Sequence, residues 1–336
     1  MKYATLSAMA LFLFIIATTS LFLGKYQLPA TDLLAFAGWK LFGLSGLSSE
    51  KMALLENIII HIRLPRILAA IMIGASLSVA GAAYQALFIN PLVSPGLLGV
   101  LAGASFGAAF GLLFAKSWAM MQLSTVIFAF IAVAVAIGIA RTYGTTSIIM
   151  LVLGGVISGA LFTSLLSIVK YAADPNNQLP AIVYWLMGSL SSVSLKTVAI
   201  ISIPAACGII AIILHGRQLN AMSMGDEEAM SLGINVRRVR YVVIFFATLI
   251  SALTVMVGGM IGWVGLIIPH ICRMIVGPNN RILLPAAALV GASYLVLADN
   301  LARMIFLFEI PIGIITSLIG IPFFILVLKN AHRGWR

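Results

Sequence analysis

HGRQLNAMSMGDEEAMSLGINVRRVR, residues His215 to Arg240, is the charged island of this chain. It places three acids and four arginines between two long apolar runs, in a chain with only 9% charged residues. Such a segment belongs in water, and the runs on either side do not. Within it, Gly225-Asp226-Glu227-Glu228 reads as a helix start, because acids in a first turn offset the positive end of the helix dipole. Gly233 reads as the stop, since glycine takes the positive φ that closes many helices. The spacing predicts a helix of about two turns. Gly225, Ala229 and Leu232 would form a small apolar face, with Asp226, Glu227 and Met230 pointing elsewhere. Such a helix either ends a loop without a partner or rests one side on a membrane body and offers the other to a second protein.

Working outward, the 336 residues are 62% hydrophobic with a mean hydropathy of +1.14. Soluble domains are nearer half apolar and a quarter charged, so the chain reads as a polytopic membrane protein. Many of the basic residues behind the net charge of +11 flank apolar runs, where they anchor helix ends, and this argues against a nucleic-acid partner. Cys207 and Cys272 both lie within apolar stretches and give neither a disulfide framework nor a metal cluster. Residues 1–20 have the charged start and apolar middle of a signal peptide. The apolar part runs from Ala8 through Leu23 without a small-residue cleavage site, so it is read as a retained first span.

A crossing needs about 20 apolar residues. Runs of that kind cover Ala4–Leu23, Ile67–Ala86, Pro95–Phe114, Trp118–Ala140, Ile148–Val169 and Thr197–Leu214. Beyond the charged segment come Tyr241–Val276, Ile282–Ala298 and Ile310–Leu328. The run Tyr241–Val276 is too long for one crossing, and Gly258-Gly259 with Gly262 divides it, which gives ten spans in one membrane domain, residues 1–336. An even number puts both termini on the side of segment 215–240. Eleven of the 20 Lys and Arg residues then share that side, a small bias toward a cytoplasmic placement.

The connections carry further signals. Gly24 to Ile62 reads as a long outer loop ending in Arg63-Leu-Pro-Arg66. Asn90-Pro91 and Ser94-Pro95 predict an ordered inner turn, because proline restrains both itself and its predecessor. Asp174 to Pro180 is a polar break before a short apolar helix, Ala181–Leu190. Gly99, Gly103, Gly107 and Gly111 repeat every four residues and predict close helix packing.

Catalytic signatures are missing. The chain has no GxxxxGK[ST] phosphate loop, no HExxH and no GxSxG. Acids within spans are scarce, and Asp299 lies about 26 Å along its helix, at the far membrane face; an ion pair with Arg303 at i+4 is the simplest reading. An ion-coupled secondary transporter usually carries ionisable groups or broken helices near the midplane. The chain therefore lacks an engine of its own, and the charged segment is where an external one could push. On the opposite side Arg63, Arg66 and Arg303 sit at span ends. They either anchor helices at headgroups or bind carboxylates of an acidic partner.

At these residues the sequence resembles the FecCD family of ABC transporter permeases. The resemblance rests on Arg63-Leu-Pro-Arg66, Gly81–Val100 (GAAYQALFINPLVSPGLLGV), Tyr184–Ser189 (YWLMGS) and Gly225-Asp226…Ala229…Leu232-Gly233. Gly262–Arg273 (GWVGLIIPHICR), Ala298-Asp299…Arg303 and Pro311-Ile-Gly313 complete it, in family order over nearly the whole chain. It implies an all-α, ten-span permease of the cobalamin- and siderophore-importer type (type II ABC importer), paired as a homodimer in the cell inner membrane with both termini cytoplasmic. It implies as partners two ATP-binding cassette subunits, which hold the ATP and Mg, and a periplasmic or lipid-anchored substrate-binding protein. Coupling to the ATPase would fall to Gly225, Asp226, Glu227, Glu228, Ala229, Leu232 and Gly233, within segment 215–240. Docking of the binding protein would fall to Arg63, Arg66 and Arg303, and the cytoplasmic gate to Gly144, Thr145, Thr146 and Ser147. The cargo implied is a ferric siderophore, haem or cobalamin, with molybdate or tungstate carried by some relatives. An ion-coupled transporter working without ATP remains the alternative.

Overall fold

A backbone within hydrocarbon must satisfy its own polar groups, and helices do this within one segment. The computed structural model describes residues 2–26, 28–43, 48–114, 117–142, 148–306 and 308–331, and it is helical, with no strand among them. In chain order the helices are α1 (Lys2–Phe22), α2 (Ala30–Phe42), α3 (Ser49–Glu56), a π-helical stretch (Asn57–Arg63) and α4 (Leu64–Leu87). There follow α5 (Val100–Phe114), α6 (Trp118–Thr142), α7 (Ile148–Ala172), α8 (Gln178–Met187), α9 (Leu195–Leu214), α10 (Gly216–Met222) and α11 (Asp226–Ser231). The series ends with α12 (Val236–Gly258), α13 (Val264–Val276), α14 (Asn280–Met304) and α15 (Ile312–Ala331).

Each expected span overlaps a helix, although the one expected from Pro95 becomes helical only at Val100, after a turn that ends at Gly99 with φ 80°. Seven helical segments are long and apolar enough to cross a membrane. The three that are not, Val100–Phe114, Val264–Val276 and Ile312–Leu326, are apolar but shorter. The division at Gly258-Gly259 is where α12 stops, with Gly259 at φ 69°. Trp263 also has φ 69° just before α13, a strained conformation for a bulky side chain.

α4 is the centre, buried along almost its whole length, and α9, α12, α13 and α14 pack around it. Gly81 of α4 meets Gly265 of α13 so closely that a Cβ there would lie 1.8 Å from the Gly265 carbonyl oxygen. A second cluster joins α5, α6, α7 and α8, with Phe106, Phe128 and Phe162 in edge contacts. The glycine stripe makes α5 flat against α6: a Cβ on Gly107 would lie 2.4 Å from the Ser124 carbonyl oxygen. Gly107→Leu should force the helices apart, and overpacking of this kind costs about 1–3 kcal/mol. Gly138→Leu on α6, where a Cβ meets nothing within 4 Å, is the control. Melting of the purified variants in detergent separates the two.

The expected loop Gly24–Ile62 is instead largely helical. α2, α3 and the π stretch bury Phe36, Met52, Leu55 and Ile59 in a small cluster, with Lys51–Asp32 at 2.8 Å and Lys40–Glu56 at 2.7 Å across α2 and α3. Its mixed composition reflects a hairpin with one apolar face. From Ser49 to Leu87 the chain is continuously helical through the π stretch. Pro65 would clash with the carbonyl four residues back in a regular α-helix, and the wider π geometry just before it supplies room.

Candidate functional site

The charged segment folds as two short helices and a tight link. α10 buries Leu219 and Met222 and is fastened to the start of α14: the Asn220 amide donates to Asn279 Oδ1 at 2.8 Å, and Asn280 N donates to Asn220 Oδ1 at 2.7 Å. Gly225, at φ 133°, then starts α11, and Gly233, at φ 78°, ends it. The expected helix start and stop are both in place. Asp226 turns back to α12, accepting from Arg240 Nη2 at 2.7 and 2.6 Å. Arg240 is buried while Asp226 is partly exposed. α11 is thus tied to α12 by an ion pair, and its Ala229 is fully buried in the main core. Glu227 and Glu228 face outward beside the exposed apolar side chains of Met224, Met230 and Leu232.

Leu232 departs from the expected apolar face, being 65% exposed. α11 ends at Ser231 and the chain turns at Gly233, so helical i+7 spacing no longer applies at Leu232. The face is reduced to Ala229.

At the other end of the molecule the three arginines expected at exposed span ends are buried: Arg63, Arg66 and Arg303 are 3%, 5% and 6% exposed. Arg63 donates to the backbone carbonyls of Leu21 and Tyr26 and so ties the end of α1 to the start of α4. Arg66 meets Asp299 at 2.7 Å through Nε and Glu309 at 2.8 Å through Nη1. Arg303 reaches Asp299 at 3.2 Å, the expected i,i+4 pair, and also Ser20 and Asn300. Ser20 donates to Asn300 at 2.7 Å. Asp299, 1% exposed, is therefore shared by two guanidiniums in a site that joins α1, α4 and α14. Burial arises because α4 and α14 pack tightly here and each cation needs an internal acceptor. Among these groups only Glu309, about one-third exposed at its side chain, reaches the surface.

Glu309 was not among the expected site residues, although an isolated acid between apolar residues just before Pro311 was a usable signal. Neither was Gln85, which donates to the Val93 carbonyl at 3.2 Å and accepts from Arg273. The bond to Val93 holds the Asn90–Pro95 turn that the prolines predicted, and the bond from Arg273 ties α4 to α13. The proposed gate residues Gly144, Thr145, Thr146 and Ser147 lie outside the described residues. No group of three His, Cys, Asp or Glu side chains among the described residues could hold a metal.

Membrane-crossing helices around a buried central helix, with an exposed acidic and apolar helix clamped to one end, define a polytopic membrane bundle. The profile of the FecCD transport family matches residues 10–330. The chain belongs to that family and is the membrane-spanning permease subunit of an ABC importer. It is 37% identical over 330 residues to the molybdate import system permease protein MolB of Haemophilus influenzae, covering 98% of this chain and 96% of the relative. It is 40% identical over 286 residues to a protein of Helicobacter pylori named as an iron chelatin transport system permease, covering 84% and 85% of the two. Among solved structures, an inward-facing metal-chelate type ABC transporter matches with a TM-score of 0.86 at 36% identity, over 97% of this chain and 99% of that one.

Proposed function

We propose that the chain forms a ten-span homodimeric permease, a single membrane domain with both termini cytoplasmic, through which a metal chelate is imported by alternating access. A separate pair of ATPase subunits, holding ATP and Mg, would dock on segment 215–240, and a binding protein would deliver cargo on the opposite face. The observation that carries this reading is the joint between α11 and α12. A helix presenting Glu227, Glu228, Met230 and Leu232 outward, yet fixed to a membrane span by Asp226–Arg240, can pass a push from a bound partner into the bundle.

The cargo we infer is a ferric siderophore, haem or cobalamin. The relative named for molybdate, matched over 98% of the chain, favours an oxyanion as the second reading. For the outer face, Arg66 is the arginine best placed for docking, since its ion pair with Glu309 opens to the surface; a carboxylate of the binding protein would take Glu309's place. Arg63 and Arg303 would support the site from within. Gly144 to Ser147 remain our proposed gate.

Charge reversal of Glu227 and Glu228 to lysine tests the coupling surface. It should abolish co-purification with the ATPase with only a small fall in melting temperature, because both side chains are exposed and first-turn acids contribute only about 0.3–1 kcal/mol each. Intact co-purification and transport would remove α11 from the coupling role. For the outer face, Glu309→Gln should strengthen binding-protein affinity by a few-fold at low salt and lose that effect at high salt, since exposed charges are screened. Surface plasmon resonance at two salt concentrations reads this directly.

A further inference from the structure

A groove of about 420 Å³ opens between α6 and α12 on the side of the charged segment. It lies within the range of roughly 300–1,000 Å³ typical of small-ligand sites. Its walls are apolar, with Phe130, Ala134 and Ile137 on α6 facing Tyr241, Val242 and Phe245 on α12. The Phe130 and Phe245 rings stand 5.3 Å apart at their centroids within it.

The mouth is cationic. Arg141 continues the Phe130, Ala134, Ile137 stripe, at spacings that keep one helix face, and it is exposed. Its Nε donates to the Tyr241 hydroxyl at 3.2 Å, and its guanidinium stands over the same ring at 5.1 Å. Arg238, also exposed, continues the α12 face through Tyr241 and Phe245. Among the described residues no carboxylate pairs with Arg141 or Arg238.

Depth decides what fits. Phe130 to Arg141 spans about 16 Å of helix, close to half of a hydrocarbon core of about 30 Å. Both helices are long and apolar enough to cross a membrane, so the groove opens at acyl-chain level and its cations stand at headgroup level. We propose that this groove is a binding site for one anionic phospholipid, an acyl chain lying between α6 and α12 and the phosphate held by Arg141 and Arg238. The lipid would brace α12, the helix that carries Arg240 and hence the joint to α11.

Native mass spectrometry of the full-length chain in detergent tests this, with phosphatidylglycerol or phosphatidylcholine of identical acyl chains as probes. Phosphatidylglycerol should be retained at lower concentration than phosphatidylcholine, and inorganic phosphate should not displace it. Arg141→Gln and Arg238→Gln should each weaken retention roughly fivefold, while Arg141→Lys should keep most of it. Ala134→Phe, filling the groove from an exposed position, should weaken retention of either lipid. Equal retention of the two lipids, or a double glutamine variant that holds phosphatidylglycerol as the parent does, would overturn the proposal. So would a disulfide between two copies through Ala134→Cys in a Cys207→Ser background, which would assign the groove to a second copy of the chain.

Discussion

Changing Asp299 to alanine is expected to destabilise the protein by about 3–5 kcal/mol, the usual cost of removing one partner from a buried ion pair. The cost is high because Asp299 serves Arg66 at 2.7 Å and Arg303 at 3.2 Å, and both guanidiniums would stay buried without their main counter-charge. Glu309 can serve Arg66 alone, from a partly exposed position. A chain whose net stability is of order 5–15 kcal/mol would then be recovered largely as aggregate. Replacing the group together, Arg66→Met with Asp299→Leu and Arg303→Met, should restore much of the loss, since an apolar substitute for a buried charge cluster is often neutral or better. Denaturant unfolding in detergent measures both, and an Asp299→Ala variant within about 1 kcal/mol of the parent would show that the network is not structural.

The second large effect is on coupling. Arg240→Ala should lower substrate uptake per ATP hydrolysed by roughly tenfold or more, the equivalent of about 1.4 kcal/mol, while the ATPase still associates. The exposed side chains of α11 that would meet the ATPase are untouched by the change, whereas the bonds at 2.6 and 2.7 Å that tie α11 to α12 are lost. Because Arg240 makes further contacts, the pair is isolated with a double-mutant cycle: Asp226→Ala on top of Arg240→Ala should add little. Additive losses would place the effect elsewhere on Arg240.

Much of the fold was legible because its signals are local. Apolar runs of crossing length, the Gly258-Gly259 break, the glycine stop at Gly233 and the short helix after Asp174 each depend on residues within a few positions of one another. The helical hairpin of α2 and α3 was missed because its apolar face is brief and its supports, Lys40–Glu56 and Lys51–Asp32, join separate elements. The arginines were misplaced for the same reason. Arg66 lies 233 residues from Asp299 and 243 from Glu309, and only packing of α4 on α14 brings them together. A charge near a span end reads from sequence as exposed, and the structure shows it turned inward to satisfy a buried acid. At α11 the boundaries were legible and the outward turn of Leu232 was not, since it depends on where the helix stops.

Coupling to an outside ATPase is read from the ATPase rate of the reconstituted chain with its ATPase and binding protein, measured as the binding protein is added empty or loaded with each candidate cargo. Loaded binding protein should stimulate hydrolysis, and one cargo class, chelate or oxyanion, should do so with uptake. Uptake by the chain alone, driven by an ion gradient and indifferent to ATP, would make it a secondary transporter instead.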